Sequence, residues 1–306
     1  MKESAQKQIA DMFARTNHLE SKHIPVKIKG VIAHTAAAFY LFAECLEPSG
    51  LSNSPNPVDG LLITLATRMY NVVSGALSLL ALGRLQEAEI LSRTVMESAL
   101  SLQYLAEENS GTRFVQYFEH YLGQEREQNR KWQKEVDGLS DEWKSDHEAR
   151  IKGKNEALDN TALFIEHFAE AIGVNYPSEK GYPNFIGICT ALNKVIDYRT
   201  IYMAMCSQAH HDAEDIINDL IVGTSPNEPK LSTQLDRETN NFSIFLTLHG
   251  VRYYLECLGK IGAKYKFSSV VQQASRSHTA ISGLMAEVSS GGFVGNATQG
   301  WVPNKI

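Results

Sequence analysis

The 306-residue chain reads as all-α: a multi-helix bundle of antiparallel helices with a long polar helical hairpin and a flexible C-terminal tail. Three observations predict this. Apolar residues recur at the three-to-four-residue spacing of a helix in nearly every segment. Strand-like alternation of useful length is missing. Glycine and proline gather in short breaker clusters, notably 48–57 and 223–230, that separate the periodic segments. With 43% hydrophobic and 21% charged residues, the chain has the composition of an ordinary soluble globular protein and enough length for a sizeable core.

The elements follow in order. Residues 4–23 form a first amphipathic helix ended by Pro25, and 27–47 a second. After the loop 48–57, the apolar segments 58–82 and 85–108 are joined at Gly83, the residue type expected just past a helix end. So short a connection predicts antiparallel packing. Segments 112–136 and 140–172 are long and polar, with charges interleaved over 124–134 and 141–154, as suits an exposed hairpin. A loop at 173–183 precedes 184–222, which holds a short helix and then a longer one. Helices at 235–261 and 266–288 close the fold. Residues 289–306, with four glycines and no periodicity, form the tail. The expected organisation is one helical domain, 1–288, with its core at 58–222 and the polar hairpin at 112–172.

Composition excludes several classes. A net charge of −6 argues against broad wrapping of nucleic acid, though not against a local basic groove. The four cysteines are widely spaced and contain no Cys-x-x-Cys pair, so they read as reduced thiols of a cytoplasmic protein. The N-terminus lacks an apolar signal core. The most lipid-like run, 61–82, carries Arg68 and Asn71 and reads as a core helix, so no membrane partner is expected. Neither a phosphate-cradling Gly-x-x-x-x-Gly-Lys loop nor a Gly-x-Ser-x-Gly elbow is present. No cofactor and no metal is expected.

The most informative feature lies in 83–107, a stretch apolar nearly all the way round. Leu91, Ser92, Val95, Ala99 and Leu102 share one face, with Ile90, Leu100 and Tyr104 opposite. Arg93 and Glu97, one turn apart, sit among the latter. A helix apolar on both faces is normally buried, and a buried charge needs a partner. The expectation is an ion pair in the core, serving as a packing device or as half of a site.

A second cluster runs from Tyr198, Arg199 and Tyr202 to Ser207, His210, His211, Asp212, Glu214 and Asp215. On a helix, Ser207, His211 and Asp215 follow at i,i+4 spacing, and histidine titrates or binds metal near neutrality. The bland reading is a helix end whose histidines bond neighbouring carboxylates. His211-Asp212 invites comparison with HD-type metal phosphohydrolases, but the following Ala-Glu-Asp-Ile-Ile departs from their pattern. Arg113 and His120 match the Arg-x(4–6)-His pattern of HEPN ribonucleases. A pattern this short is expected roughly once by chance in such a chain.

The segment from Leu85 to Leu105, with its Leu-x-Arg93-x-x-x-Glu97 core and Tyr104-Leu end, resembles the signature helix of a widespread prokaryotic family. Its members are uncharacterised all-helical proteins, known only as a domain of unknown function. That family shows a later tyrosine-rich helix with a serine and a histidine about one turn on, matched here by Tyr202, Ser207 and His211, with His210 as the competing register. The resemblance spans roughly 58–222. It implies an all-α fold whose polar motifs converge in one interhelical pocket, similar in style to the HEPN group of phage-defence and toxin–antitoxin proteins.

The resulting expectation is a HEPN-like, metal-independent endoribonuclease of a prokaryotic defence or toxin system. Arg93 binds phosphate, Glu97 orients Arg93, and His210 or His211 acts as general acid–base, with Tyr104, Arg199, Tyr202 and Ser207 binding substrate. RNA, a second copy of the chain and a defence-operon protein are the expected partners. The alternatives are a non-enzymatic binding or regulatory protein with a structural Arg93–Glu97 pair, and an HD-like metal phosphohydrolase.

Overall fold

The computed structural model describes residues 3–51, 54–209, 217, 220 and 229–290, apart from the side chains of 142, 207–209, 229–233 and 235–236. Among the described residues every regular element is helical. In chain order these are α1 (Glu3–Thr16), a 3-10 turn (Ser21–His23), α2 (Val26–Ser49), α3 (Pro57–Ala81), α4 (Leu85–Ala106), α5 (Ser110–Val136), α6 (Asp141–Ala171) and α7 (Phe185–Ala191). They continue with α8 (Val195–Asp197), a π-helical turn (Tyr198–Tyr202), α9 (Met203–Ala209), α10 (Pro229–Lys264) and α11 (Ser268–Ser289). The all-α expectation is met, and most ends fall within a few residues of their predicted places. The predicted tail lies outside the described residues except at its first two positions.

Local chemistry explains several ends. Asn56 precedes Pro57, and its side-chain oxygen accepts the backbone N–H of Val58 at 3.1 Å, so α3 opens with an Asn cap and proline in the first turn. The same helix closes at Gly83, whose φ of +74° lets Arg84 N–H donate to Leu79 O at 2.9 Å and Gly83 N–H to Leu80 O at 3.2 Å. This pair of bonds satisfies the last carbonyls and turns the chain directly into α4. His18 and Lys266 close α1 and α10 with the same bond pattern, at φ values of +56° and +61°.

The chain divides into two compact units: residues 1–53, 62–106 and 185–306 form the larger, and residues 54–61 and 107–184 the smaller. In the smaller unit α5 packs along α6. Buried Asn129 donates to Asn155 Oδ1 at 2.7 Å and to Ile151 O at 3.3 Å, which locks the register of the pair. Arg126–Asp159 and Lys154–Glu125 ion pairs, both 2.9 Å, flank it. All but Asp159 belong to the interleaved charges read in the sequence.

In the larger unit α10 is the central helix. It packs against α4, α11 and α2, while α2 also packs against α1 and α11, and α4 against α7 and α9. Ile244, Leu248, Val251, Leu255 and Leu258 share one face and are fully or nearly fully buried, and Leu246, Tyr253 and Cys257 are buried on the opposite one, so the helix is covered on both sides. Its approach to α4 is set by Gly250: a Cβ there would lie 2.9 Å from Ser92 Cβ and 3.0 Å from Ser92 O. Only glycine lets the two backbones meet at that distance. The sequence reading placed 61–82 as the most lipid-like run. By length and composition, α2 is the described helix that is long and apolar enough to cross a membrane, and 44% of its apolar window is buried inside the protein.

Candidate functional site

Arg93 and Glu97 project from α4 toward the segment that carries α8, the π-helical turn and α9. Arg93 Nε donates to Glu97 Oε1 at 3.1 Å. The Tyr202 hydroxyl donates to the same carboxylate oxygen at 2.6 Å and accepts from Arg93 Nη2 at 3.3 Å. Three side chains from two helical segments 105 residues apart in sequence therefore close a ring of hydrogen bonds. The Arg93 guanidinium carbon also lies 5.4 Å from the Tyr202 ring centroid, a cation–π contact.

The ion pair is not in the core, which corrects the sequence expectation. The Arg93 side chain is 25% exposed and that of Glu97 37%. Ile90, expected on a buried face beside them, is 41% exposed. The helix wheel identified the two apolar faces, but α10 covers only the Ser92 side fully. The Arg93 side is covered by short segments that leave an opening.

Electrostatics follow from this placement. Burial works against the Arg93 charge, but Tyr202, Cys206 and Glu97 outweigh it and hold its pKa above the usual value. Burial first, then the bond to Glu97, push the Tyr202 hydroxyl well above the ordinary tyrosine range, against the opposing pull of Arg93. Tyr202 is thus a neutral donor near neutral pH, and Arg93 a permanent cation.

Around this ring stands an aromatic stack that the sequence reading missed. Tyr198 and Tyr202 lie nearly parallel, with centroids 5.2 Å apart and planes at 20°, and Phe185 from α7 leans on Tyr202 at 4.6 Å. Arg199, exposed, lies over the Tyr198 ring at 5.5 Å. The π-helical turn brings Tyr198 and Tyr202 into register, and such turns recur at functional sites. The Tyr198-x-x-x-Tyr202 spacing was the available signal. Nothing in the sequence pointed to Phe185.

Of the eight predicted site residues, the structure gathers Arg93, Glu97 and Tyr202, with Arg199 at the edge of the stack. Tyr104 is half-buried on α4, two turns beyond Glu97 and about 10 Å along the helix axis. Ser207 belongs to α9, but its side chain lies outside the described residues, as do His210 and His211 and the proposed His211-Asp212 metal pair. The Arg113–His120 match does not converge: Arg113 bonds Glu107 at 2.9 Å, while His120 sits 5.9 Å from the Tyr182 ring. All four cysteines are free thiols, and burial raises the Cys189 pKa to about 11, the mark of an inert thiol.

No curated protein and no solved structure matches the chain. A family model described as a family of unknown function (DUF5677) matches residues 59–228, more than half the chain and a span holding Arg93, Glu97, Phe185, Tyr198 and Tyr202. The chain belongs to this family of unknown function.

Proposed function

We propose that the chain is a metal-independent, HEPN-like endoribonuclease acting in the prokaryotic cytoplasm as a homodimer, within a phage-defence or toxin–antitoxin system. The observation that carries the reading is a permanent guanidinium, partly open to solvent, set beside a stack of three aromatic rings with a second arginine at its edge. Single-stranded nucleic acid is held by such combinations of phosphate-binding cations and base-stacking rings. Arg93 binds a non-bridging phosphate oxygen, Glu97 and Tyr202 hold the guanidinium in place, and a base stacks on Tyr198 or Phe185. His210 or His211 removes the 2′-hydroxyl proton as O2′ bonds to phosphorus. The P–O5′ bond breaks and O5′ takes a proton, which leaves a 2′,3′-cyclic phosphate and a 5′-hydroxyl.

The test incubates the full chain with single-stranded RNA in the presence of a chelator, beside Arg93→Gln and the His210→Ala/His211→Ala double variant. Cleavage by the parent protein that fails in both variants, and fails on RNA deoxygenated at the 2′ position, is expected. Absence of cleavage by the parent protein, or equal cleavage by all three, refutes it.

One observation favours a second reading. The ring of Arg93, Glu97 and Tyr202 is already complete within the protein and ties α4 to the π-helical turn. On this reading the chain is a non-enzymatic binding protein, and the ring is a clasp.

A further inference from the structure

The segment that supplies Tyr202 to the Arg93 ring carries a second polar cluster, shared with α10 and α11. Lys194 donates to Glu256 at 3.1 Å and stands 4.0 Å from Asp197. Tyr253 donates its hydroxyl to Asp197. Both carboxylates are thereby provided for.

Arg252 is not. Among the described residues no carboxylate lies within ion-pair distance of it. Its guanidinium carbon lies 5.7 Å from the Tyr253 ring centroid, and its Nε is buried with no acceptor. One turn earlier, His249 is only 6% exposed, and its Nδ1 is likewise buried without a partner. His249 and Arg252 are i,i+3 neighbours and so share a helix face. His278 on α11 feels the charges of Arg252, Glu256 and Lys194.

A buried, unmade hydrogen bond costs free energy, and more so for a charged group. Two such nitrogens on one face, flanked by a lysine and another histidine, form an incomplete set of donors. Among the described residues no carboxylate completes it, because Asp197 and Glu256 are engaged by Tyr253 and Lys194. A tetrahedral oxyanion does, since a guanidinium fork presents several N–H groups to its oxygens and an imidazole adds one more. We propose that Arg252 and His249, with Lys194 and His278 at the margin, form a phosphate-binding site separate from the Arg93 ring. The site stands on its own geometry and holds whether or not the Arg93 ring cleaves RNA.

Burial, with Arg252 adding to it, holds the His249 pKa down to about 4, and Asp197 pulls the other way. A bound phosphate dianion reverses the balance of charge around the ring, so His249 and His278 titrate at higher pH with phosphate than without.

The experiment titrates the full chain with inorganic phosphate against chloride at matched ionic strength. Binding is followed by calorimetry and by the imidazole nitrogen resonances of His249 and His278. Saturable binding is expected, with both imidazoles shifting, and it is at least about tenfold weaker in Arg252→Gln. A single-stranded oligonucleotide that displaces phosphate identifies the phosphate as one of a nucleic-acid backbone. An oligonucleotide that leaves phosphate in place assigns the site to a free phosphate or phosphate monoester. Phosphate that leaves both imidazoles unmoved, or that binds Arg252→Gln as tightly as the parent, overturns the proposal. The imidazole readout uses the unaltered protein and so decides the matter even where Arg252→Gln fails to fold.

Discussion

Replacing Glu97 by alanine separates a functional pocket from a structural clasp. The carboxylate receives Arg93 Nε–H at 3.1 Å and the Tyr202 hydroxyl at 2.6 Å, so its removal frees two donors. Were the pair buried, stranding the arginine would cost about 3–5 kcal/mol. A quarter of the Arg93 side chain is exposed, however, and water reaches the freed guanidinium. Partly exposed ion pairs contribute roughly 0.2–1 kcal/mol. The Tyr202 bond, partly open to water, adds about 1 kcal/mol, the central value for a protein hydrogen bond. Alanine returns a few tenths through its helix propensity. The expected loss is about 1–2 kcal/mol, equivalent to a fall in Tm of about 1.5–3 °C for a chain of 306 residues. Urea unfolding followed by helical circular dichroism measures it, with RNA cleavage assayed on the same preparation. A loss of 3 kcal/mol or more shows that the ring is a structural clasp and refutes the reasoning from exposure. A small loss with undiminished cleavage removes Glu97 from the reaction.

Three further outcomes are expected. Tyr202→Phe keeps the stacked ring but deletes the hydroxyl, so it lowers cleavage about tenfold, or about 1.4 kcal/mol of positioning, with stability changed by about 1 kcal/mol or less; unchanged cleavage contradicts the positioning role. Gly250→Ala gains about 1 kcal/mol of helix propensity but drives a methyl to 2.9–3.0 Å from Ser92, whose backbone oxygen cannot swing aside. The overpacking cost of about 1–3 kcal/mol wins, so the variant is less stable than the parent by calorimetry, and a stabilised variant contradicts the close approach of α4 and α10. The pKa of His249 is depressed to about 4 by burial and Arg252, against an ordinary 6.5, so between those values the unfolded chain binds the extra proton. Stability therefore falls as pH drops from about 6.5 toward 4, by up to about 3 kcal/mol from this group. The lowered pKa values of His34 and His278 act in the same direction. His249→Gln flattens this dependence in urea titrations, and an unchanged slope shows that His249 is not its source.

Much of the fold was legible because helices announce themselves locally. The Asn56-Pro57 start, the Gly83 stop and the pairs Arg130–Glu127 and Arg150–Asp146 within α5 and α6 each depend on neighbours within a turn or two. The site was legible only in part. Arg93, Glu97 and Tyr202 stood out because two charges in an apolar helix demand partners, and the aromatic helix further along supplied one. Phe185, Asp197, Arg252 and His249 did not stand out, since each is an ordinary residue in its own segment.

The sequence by itself determined the helices, their ends and the pairing of Arg93 with Glu97, because i,i+4 spacing places them in contact on any α-helix. Tertiary structure decided how deep the pair lies and what meets it. Periodicity tells which residues share a face, but not which neighbour covers that face. Here α10 closes over the Ser92 side because Gly250 lets the backbones approach, while the Arg93 side receives only short segments and a π-helical turn. Burial is a property of packing between distant segments. That is why an ion pair expected in the core stands instead partly open to solvent.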